Sequence, residues 1–192
     1  MRFFYFFKQP DLNPHNAKNT FFMSARPKIV IEKDQTDKTL DALALSTLVF
    51  MWVFALVNYT TLPETIPVHF DANGTADGYG SRLTLFLLPA IGSAQWFLLG
   101  WVAGIPESYN YNFRITPENA APHYRLSVRF IRLLRFVILL IFALIVVMMI
   151  NAATGKKDGL GAWFLPLVLG LVFGPIIWYF VQAKKINRRY SS

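Results

Sequence analysis

Apolar positions in this chain come in long unbroken runs, and the polar positions are gathered between them. Four windows carry no charged residue: Ala42 to Pro63, Leu83 to Pro106, Phe136 to Gly155 and Gly159 to Ala183, of 22, 24, 20 and 25 residues. A bilayer core about 30 Å thick takes roughly 20 apolar residues per spanning helix. The pattern therefore predicts an all-α, polytopic membrane protein, with four transmembrane helices in a bundle and a structured outer loop between helices 1 and 2. The chain divides into an N-terminal segment 1–41, a transmembrane domain 42–183 and a basic tail 184–192. Met23, followed by Ser24-Ala25-Arg26, could equally serve as an initiator, which makes residues 1–22 a candidate start-site extension. The apolar opening Met1 to Phe7 is cut short by Lys8, too early for a secretory signal. Thr39 and Asp41 are the expected caps of the first helix.

Composition changes this picture only where charge is placed. The 192 residues carry 19 Lys and Arg against 11 Asp and Glu. Segment by segment, sixteen of those cations fall on one side of the four spans and three on the other. Cations are retained on the cytoplasmic side, so both termini are expected inside and the loop 62–82 outside, in a bacterial plasma (inner) membrane. This asymmetry also explains the net charge of +8 without nucleic acid as a partner. Cysteine is absent, which removes disulfides and thiolate zinc sites. Without ionisable groups inside the windows, a proton relay or an ion-coupled carrier has no residues to work with.

Three further features are candidates for function. Arg125, Arg129, Arg132 and Arg135 recur at helical spacing before the third window, an expected contact for anionic lipid of the inner leaflet. Gly100 with Gly104, and Gly170 with Gly174, have the four-residue spacing that lets helices approach closely, within one bundle or in a homo-oligomer. Pro122 is expected to kink the helix that Thr116-Pro117-Glu118 starts.

The outer loop holds the third. Pro67 stiffens an extended stretch through His69 and Phe70, and Asp71-Ala72-Asn73-Gly74 has turn chemistry. Asp71, Asn73, Thr75 and Asp77 alternate as in half a calcium loop, but Gly74 is at the wrong offset and Arg82 stands where the acid belongs. His69 with Asp71 or Asp77 could do acid/base work, although no third catalytic group is visible. The remaining reading has the acids capping turns and pairing with Arg82. No catalytic residue, cofactor or metal is assigned.

Leu62-Pro63, Ile66-Pro67, His69-Phe70, Gly74, Asp77-Gly78-Tyr79-Gly80 and Ser81-Arg82, between two spans, closely resemble the signature of a bacterial membrane domain, the domain-of-unknown-function 1648 family. The resemblance covers roughly Leu40 to Ala90, and Asn110 to Phe113 and Thr116 to Ala120 look like the segment that follows in such proteins. Pro122-His123 departs from the uninterrupted helix of those relatives. The same domain fronts SdpI-type immunity and signalling proteins, which carry further membrane segments. The resemblance implies a secreted peptide at the outer loop and a cytoplasmic regulator at the arginine face, and brings no catalytic residue. The function expected is thus a non-enzymatic membrane protein that recognises through loop 62–82. A small permease subunit is the alternative, and a membrane-embedded hydrolase the second.

Overall fold

The computed structural model describes residues 26–156 and 159–190. The start-site reading of residues 1–22, and Lys157 and Asp158 of the turn between the third and fourth spans, lie outside the described residues. Four helices are long and apolar enough to cross a membrane, as a multi-pass membrane protein requires. They are α1 (Gln35–Tyr59), α2 (Leu87–Val102, entered through a 3-10 turn Arg82–Phe86), α3 (Ala120–Ala153) and α4 (Phe164–Tyr190). The one sheet among the described residues is a hairpin of β1 (Thr65–Phe70) and β2 (Ala76–Ser81), standing between α1 and α2.

The axis of the bundle is α3, against which α1, α2 and α4 all pack. On α1, Ala44, Leu48, Met51 and Ala55 recur on one face and are buried against Leu139, Ala143, Val146, Met149 and Ile150 of α3. Gly92 of α2 closes the cluster: a Cβ there would lie 2.9 Å from Met51 Cε and 3.0 Å from a Leu139 methyl. Between helices that lipid surrounds, small residues of this kind permit the close van der Waals contact that holds them. The opposite faces (Val53, Leu56, Val57, Phe97, Phe173 and Ile177 among them) are exposed and apolar, as a lipid-facing surface must be. Trp52 donates to Ser93 Oγ at 3.0 Å across the α1–α2 contact, satisfying an indole N–H that lipid could not.

Several element boundaries differ from those the sequence predicts. Helix α1 starts before Thr39 and Asp41, because Asp34 and Asp37 form a reciprocal capping box: Asp34 Oδ1 accepts from the Asp37 amide at 3.0 Å, and Asp37 Oδ2 from the Asp34 amide at 3.2 Å. Pro122 neither kinks nor restarts α3. It occupies the third helical position, where the backbone has no hydrogen bond to lose. Residues 184–190 continue α4 as helix instead of forming a separate tail. The glycine pairs are corrected too. Gly104 lies beyond the end of α2, so it shares no helix face with Gly100. Among the described residues an added Cβ on Gly170 or Gly174 would meet nothing within 4 Å, so neither packs against α1, α2 or α3.

Candidate functional site

Polar chemistry concentrates at the two ends of the bundle. At the hairpin end, Ile66 is fully buried beneath the sheet with Leu62 and Leu85, which roots the hairpin in the helical core. Its strands pair antiparallel, Thr65 with Ser81 through Phe70 with Ala76, with irregularities on either side of His69. Asp71 makes the turn: its Oδ1 accepts from the amides of Asn73 at 2.9 Å and Thr75 at 2.8 Å. Gly74 has φ of 80°, a left-handed conformation that glycine adopts at no steric cost.

Three glycines then fasten this tip to the turn between α3 and α4. Thr75 bridges Gly159, and the Leu160 amide donates to Gly74 O at 2.7 Å. The contact is backbone on backbone. A Cβ on Gly159 would lie 2.1 Å from Gly74 O, and one on Gly74 would lie 2.4 Å from Gly161 N. Turn residues 71–74 are legible in the sequence as a turn, but the need for Gly159 and Gly161 opposite them is not, since no local pattern announces that partner.

The predicted partners of the loop acids need correction. Asp77 lies 2.5 Å from His69 Nδ1 and does not reach Arg82. Arg82 instead donates to Leu62 O at 3.1 Å and covers the Tyr59 ring with its centroid 4.9 Å away, which stitches the base of the hairpin to the end of α1. Gly78 is required opposite His69, because a Cβ there would lie 2.8 Å from His69 Cβ. The His69 and Asp77 side chains remain 72% and 47% exposed, and Tyr79 projects beside them. Among the described residues no group of three or more His, Cys, Asp or Glu is placed to hold a metal ion.

The opposite end, where the N-terminal segment, the α2–α3 connection and the start of α3 meet, is built on charge. Asp34, Asp37 and Asp41 lie along the start of α1, and Arg129, Arg132 and Arg135 run alongside them on α3. Arg129 binds Asp34 and, through Nε at 3.2 Å, Asp37. Arg132 lies 3.3 Å from Asp37 and 3.5 Å from Asp41, and Arg135 binds Asp41. The arginines are three residues apart, a rise of about 4.5 Å each, and the aspartates three and then four, about 4.5 and 6 Å, so the rungs stay nearly in step. Arg132 and Arg135, with side chains only 7% exposed, therefore face carboxylates and do not form the open, lipid-facing stripe expected of them. Arg125 is exposed, as a headgroup contact would need.

Asp34 is held below the usual carboxylate range by the Asp37 amide that donates to it, with Arg129 beside it. In the α2–α3 connection, burial pushes the Tyr109 phenol up to about 12, and its hydroxyl donates to Val102 O at 2.7 Å. Tyr111 is shifted upward for the same reason and donates to Pro106 O at 3.0 Å. Arg26 donates to the carbonyls of Glu107 and Tyr109, holding the N-terminal segment against this connection. Between them a cavity of about 370 Å³ opens, walled by residues 28–31 and Lys33, by Gly100, Ala103 and Gly104 at the end of α2, and by Asp41, Glu107, Arg132 and Arg135.

Residues 47–92 match the model of a family described as a domain of unknown function (DUF1648). The match covers 46 of the 192 residues: the second half of α1, the hairpin and the start of α2. None of the six ladder residues lies within it. An uncharacterized protein of the archaeon Archaeoglobus fulgidus is 45% identical over 56 residues, 29% of this chain. That stretch spans 31% of the archaeal protein's own length, so the likeness concerns a segment. No solved structure matches the chain.

Proposed function

We propose that the chain is a non-enzymatic recognition protein of the plasma (inner) membrane, with both termini in the cytoplasm and the hairpin end outside. The observation that carries this reading is the backbone seam between Gly74 and residues 159–161, which fixes an exposed polar surface to the bundle. His69, Asp71, Asn73, Asp77 and Tyr79 are displayed on that surface. A preorganised surface binds with less loss of conformational freedom than a mobile loop would. The sixteen-to-three distribution of cations supports the orientation. A secreted peptide is the ligand class the reading favours, with a cytoplasmic regulator as the partner at the other end.

The absence of cysteine makes the orientation directly testable. Asn73→Cys should react with a membrane-impermeant maleimide in intact cells; labelling only after lysis would place the hairpin inside and end the proposal. Recognition is tested by complementing a deletion strain exposed to medium conditioned by its own species. The His69→Ala/Asp71→Ala/Asp77→Ala variant should lose at least tenfold of the wild-type protection at equal membrane abundance. Protection that falls only in proportion to abundance would make the hairpin purely structural.

A further inference from the structure

At the end opposite the hairpin, one carboxylate is shared among too many cations. Asp41 receives Lys33 Nζ at 2.7 Å, Arg132 Nε at 3.5 Å, and Arg135. Beside it Arg135 Nε is buried without a hydrogen-bond partner among the described residues, and Arg132 Nη1, also buried, has only its 3.3 Å ion pair with Asp37. Burying such donors unsatisfied is costly, and a charged donor more so than a neutral one. Both arginines border the cavity of about 370 Å³, and Lys28 and Lys33 line its other wall. Against these four cations the lining holds two acids, Asp41 and Glu107; with Asp37 behind Arg132 counted as well, one positive charge is left over.

The cavity also sits where charge gives way to apolar sequence. Asp41 and Arg135 are the last charged residues before the first and third charge-free windows, the depth at which a spanning helix meets headgroups. Gly100, Ala103 and Gly104 keep the α2 wall low. At Gly100 a Cβ would come within 3.0 Å of Arg135 Nη1.

We propose that this cavity binds a phosphate group, held by Arg132 and Arg135 from α3 and by Lys28 and Lys33 from the N-terminal segment. Guanidinium donors match the oxygens of a phosphate, and a tetrahedral anion offers more oxygens than a carboxylate to donors placed on both walls. The phosphate belongs to a lipid headgroup or to a soluble ion. The proposal is independent of the hairpin reading, because no residue of the hairpin takes part.

The test uses the full chain, stripped of lipid in a neutral detergent, with thermal unfolding as the readout. One arm titrates inorganic phosphate against chloride at matched ionic strength; the other titrates phosphatidylglycerol against phosphatidylcholine in mixed micelles. A saturable rise in Tm of about 5 °C at a hundredfold excess over Kd is expected in at least one arm. A response to phosphate identifies the free ion, and a response to phosphatidylglycerol alone identifies the headgroup. Ala103→Leu fills the cavity without touching a charge and should abolish the rise. Lys28→Gln, on the surface wall, should raise the apparent Kd roughly fivefold. No saturable rise in either arm, an equal rise with Ala103→Leu, or an unchanged Kd with Lys28→Gln would each overturn the proposal; if Ala103→Leu fails to fold, Lys28→Gln decides alone.

Discussion

The two ends of the bundle solve the same problem, holding polar chain against a membrane domain, by opposite means. At the hairpin end the fastening is backbone to backbone: Gly74 against Gly159 and Gly161, with the Leu160 amide on Gly74 O. Side-chain charge contributes little there, since the His69–Asp77 pair is exposed and pairs of that kind are worth about 0–1 kcal/mol. At the terminal end the fastening is side chain to side chain, through six charges of which Asp37, Arg132 and Arg135 are buried. A backbone seam fails when a single Cβ is added, and it fails locally. A buried charge ladder fails when one partner is removed, and it takes the α1–α3 contact with it. The difference teaches where each end is vulnerable, and it also fits their proposed uses: a surface that must stay fixed, and a cavity whose spare donors await an anion.

The largest effect should come from the ladder. Removing one partner of a buried ion pair costs about 3–5 kcal/mol, chiefly because the other charge is left without compensation. Asp37→Ala leaves Arg132 only Asp41, 3.5 Å away and shared with Lys33 and Arg135, and deprives Arg129 of one of its two carboxylates. It should destabilise the protein by about 3 kcal/mol or more in denaturant unfolding from detergent micelles. Asp37→Leu/Arg132→Leu removes both charges, keeps the Arg129–Asp34 and Arg135–Asp41 rungs, and should recover more than half of that loss. If the double variant is no more stable than Asp37→Ala, the rungs do not act as pairs.

The seam predicts a smaller and more local effect. Gly159→Ala would place a methyl group 2.1 Å from Gly74 O, which the tip can escape only by lifting away. Gly74→Ala adds to the clash a left-handed φ that costs a non-glycine residue about 1–2 kcal/mol. Amide exchange at Asp71, Thr75 and Leu160 should accelerate by at least tenfold in either variant. Unfolding of the helical bundle should shift by less than about 1 kcal/mol, because Ile66 and Leu62 keep the base of the hairpin rooted. A shift of the whole unfolding transition as large as that of Asp37→Ala would mean that the two ends are not separable.

The same contrast explains what could be read from the sequence. Four charge-free windows announce four spans, and Asp71 to Gly74 announces a turn, because both signals are local. The β-hairpin itself was legible only as an extended stretch, since Asp77-Gly78-Tyr79-Gly80 lacks the alternation of a strand; its glycines are there to let His69 and Val68 approach. The ladder was hidden for another reason. Its partners lie more than ninety residues apart, and arginines at the start of a span have a ready local explanation in topology. A signal was present: Asp34, Asp37 and Asp41, and Arg129, Arg132 and Arg135, each recur at helical spacing, and equal numbers of opposite charges at the same end of two spans invite pairing. Glycine spacing misled in the other direction. The close contacts use Ala44, Ala55, Ala143 and Gly92, which form no four-residue glycine pair.

The smallest predicted effect separates the outermost rung from the buried ones. Asp34 caps α1 and pairs with Arg129, and its carboxyl is held below the ordinary aspartate range, mainly by the Asp37 amide. A carboxyl with a depressed folded pKa contributes stability that is fully present above its unfolded value and is lost as pH falls through the folded one. Between pH 7 and 5, then, this group should leave stability unchanged, and its contribution should disappear below about pH 4. Asp34→Asn keeps an N-cap acceptor of similar strength while removing the charge, so it should be slightly less stable than wild type at neutral pH. The stability difference between wild type and Asp34→Asn, measured by unfolding from pH 7 to pH 3, should shrink toward zero at the acid end. A difference that stays constant across that range would show that the charge on Asp34 adds nothing to the cap, and that the ladder begins at Asp37.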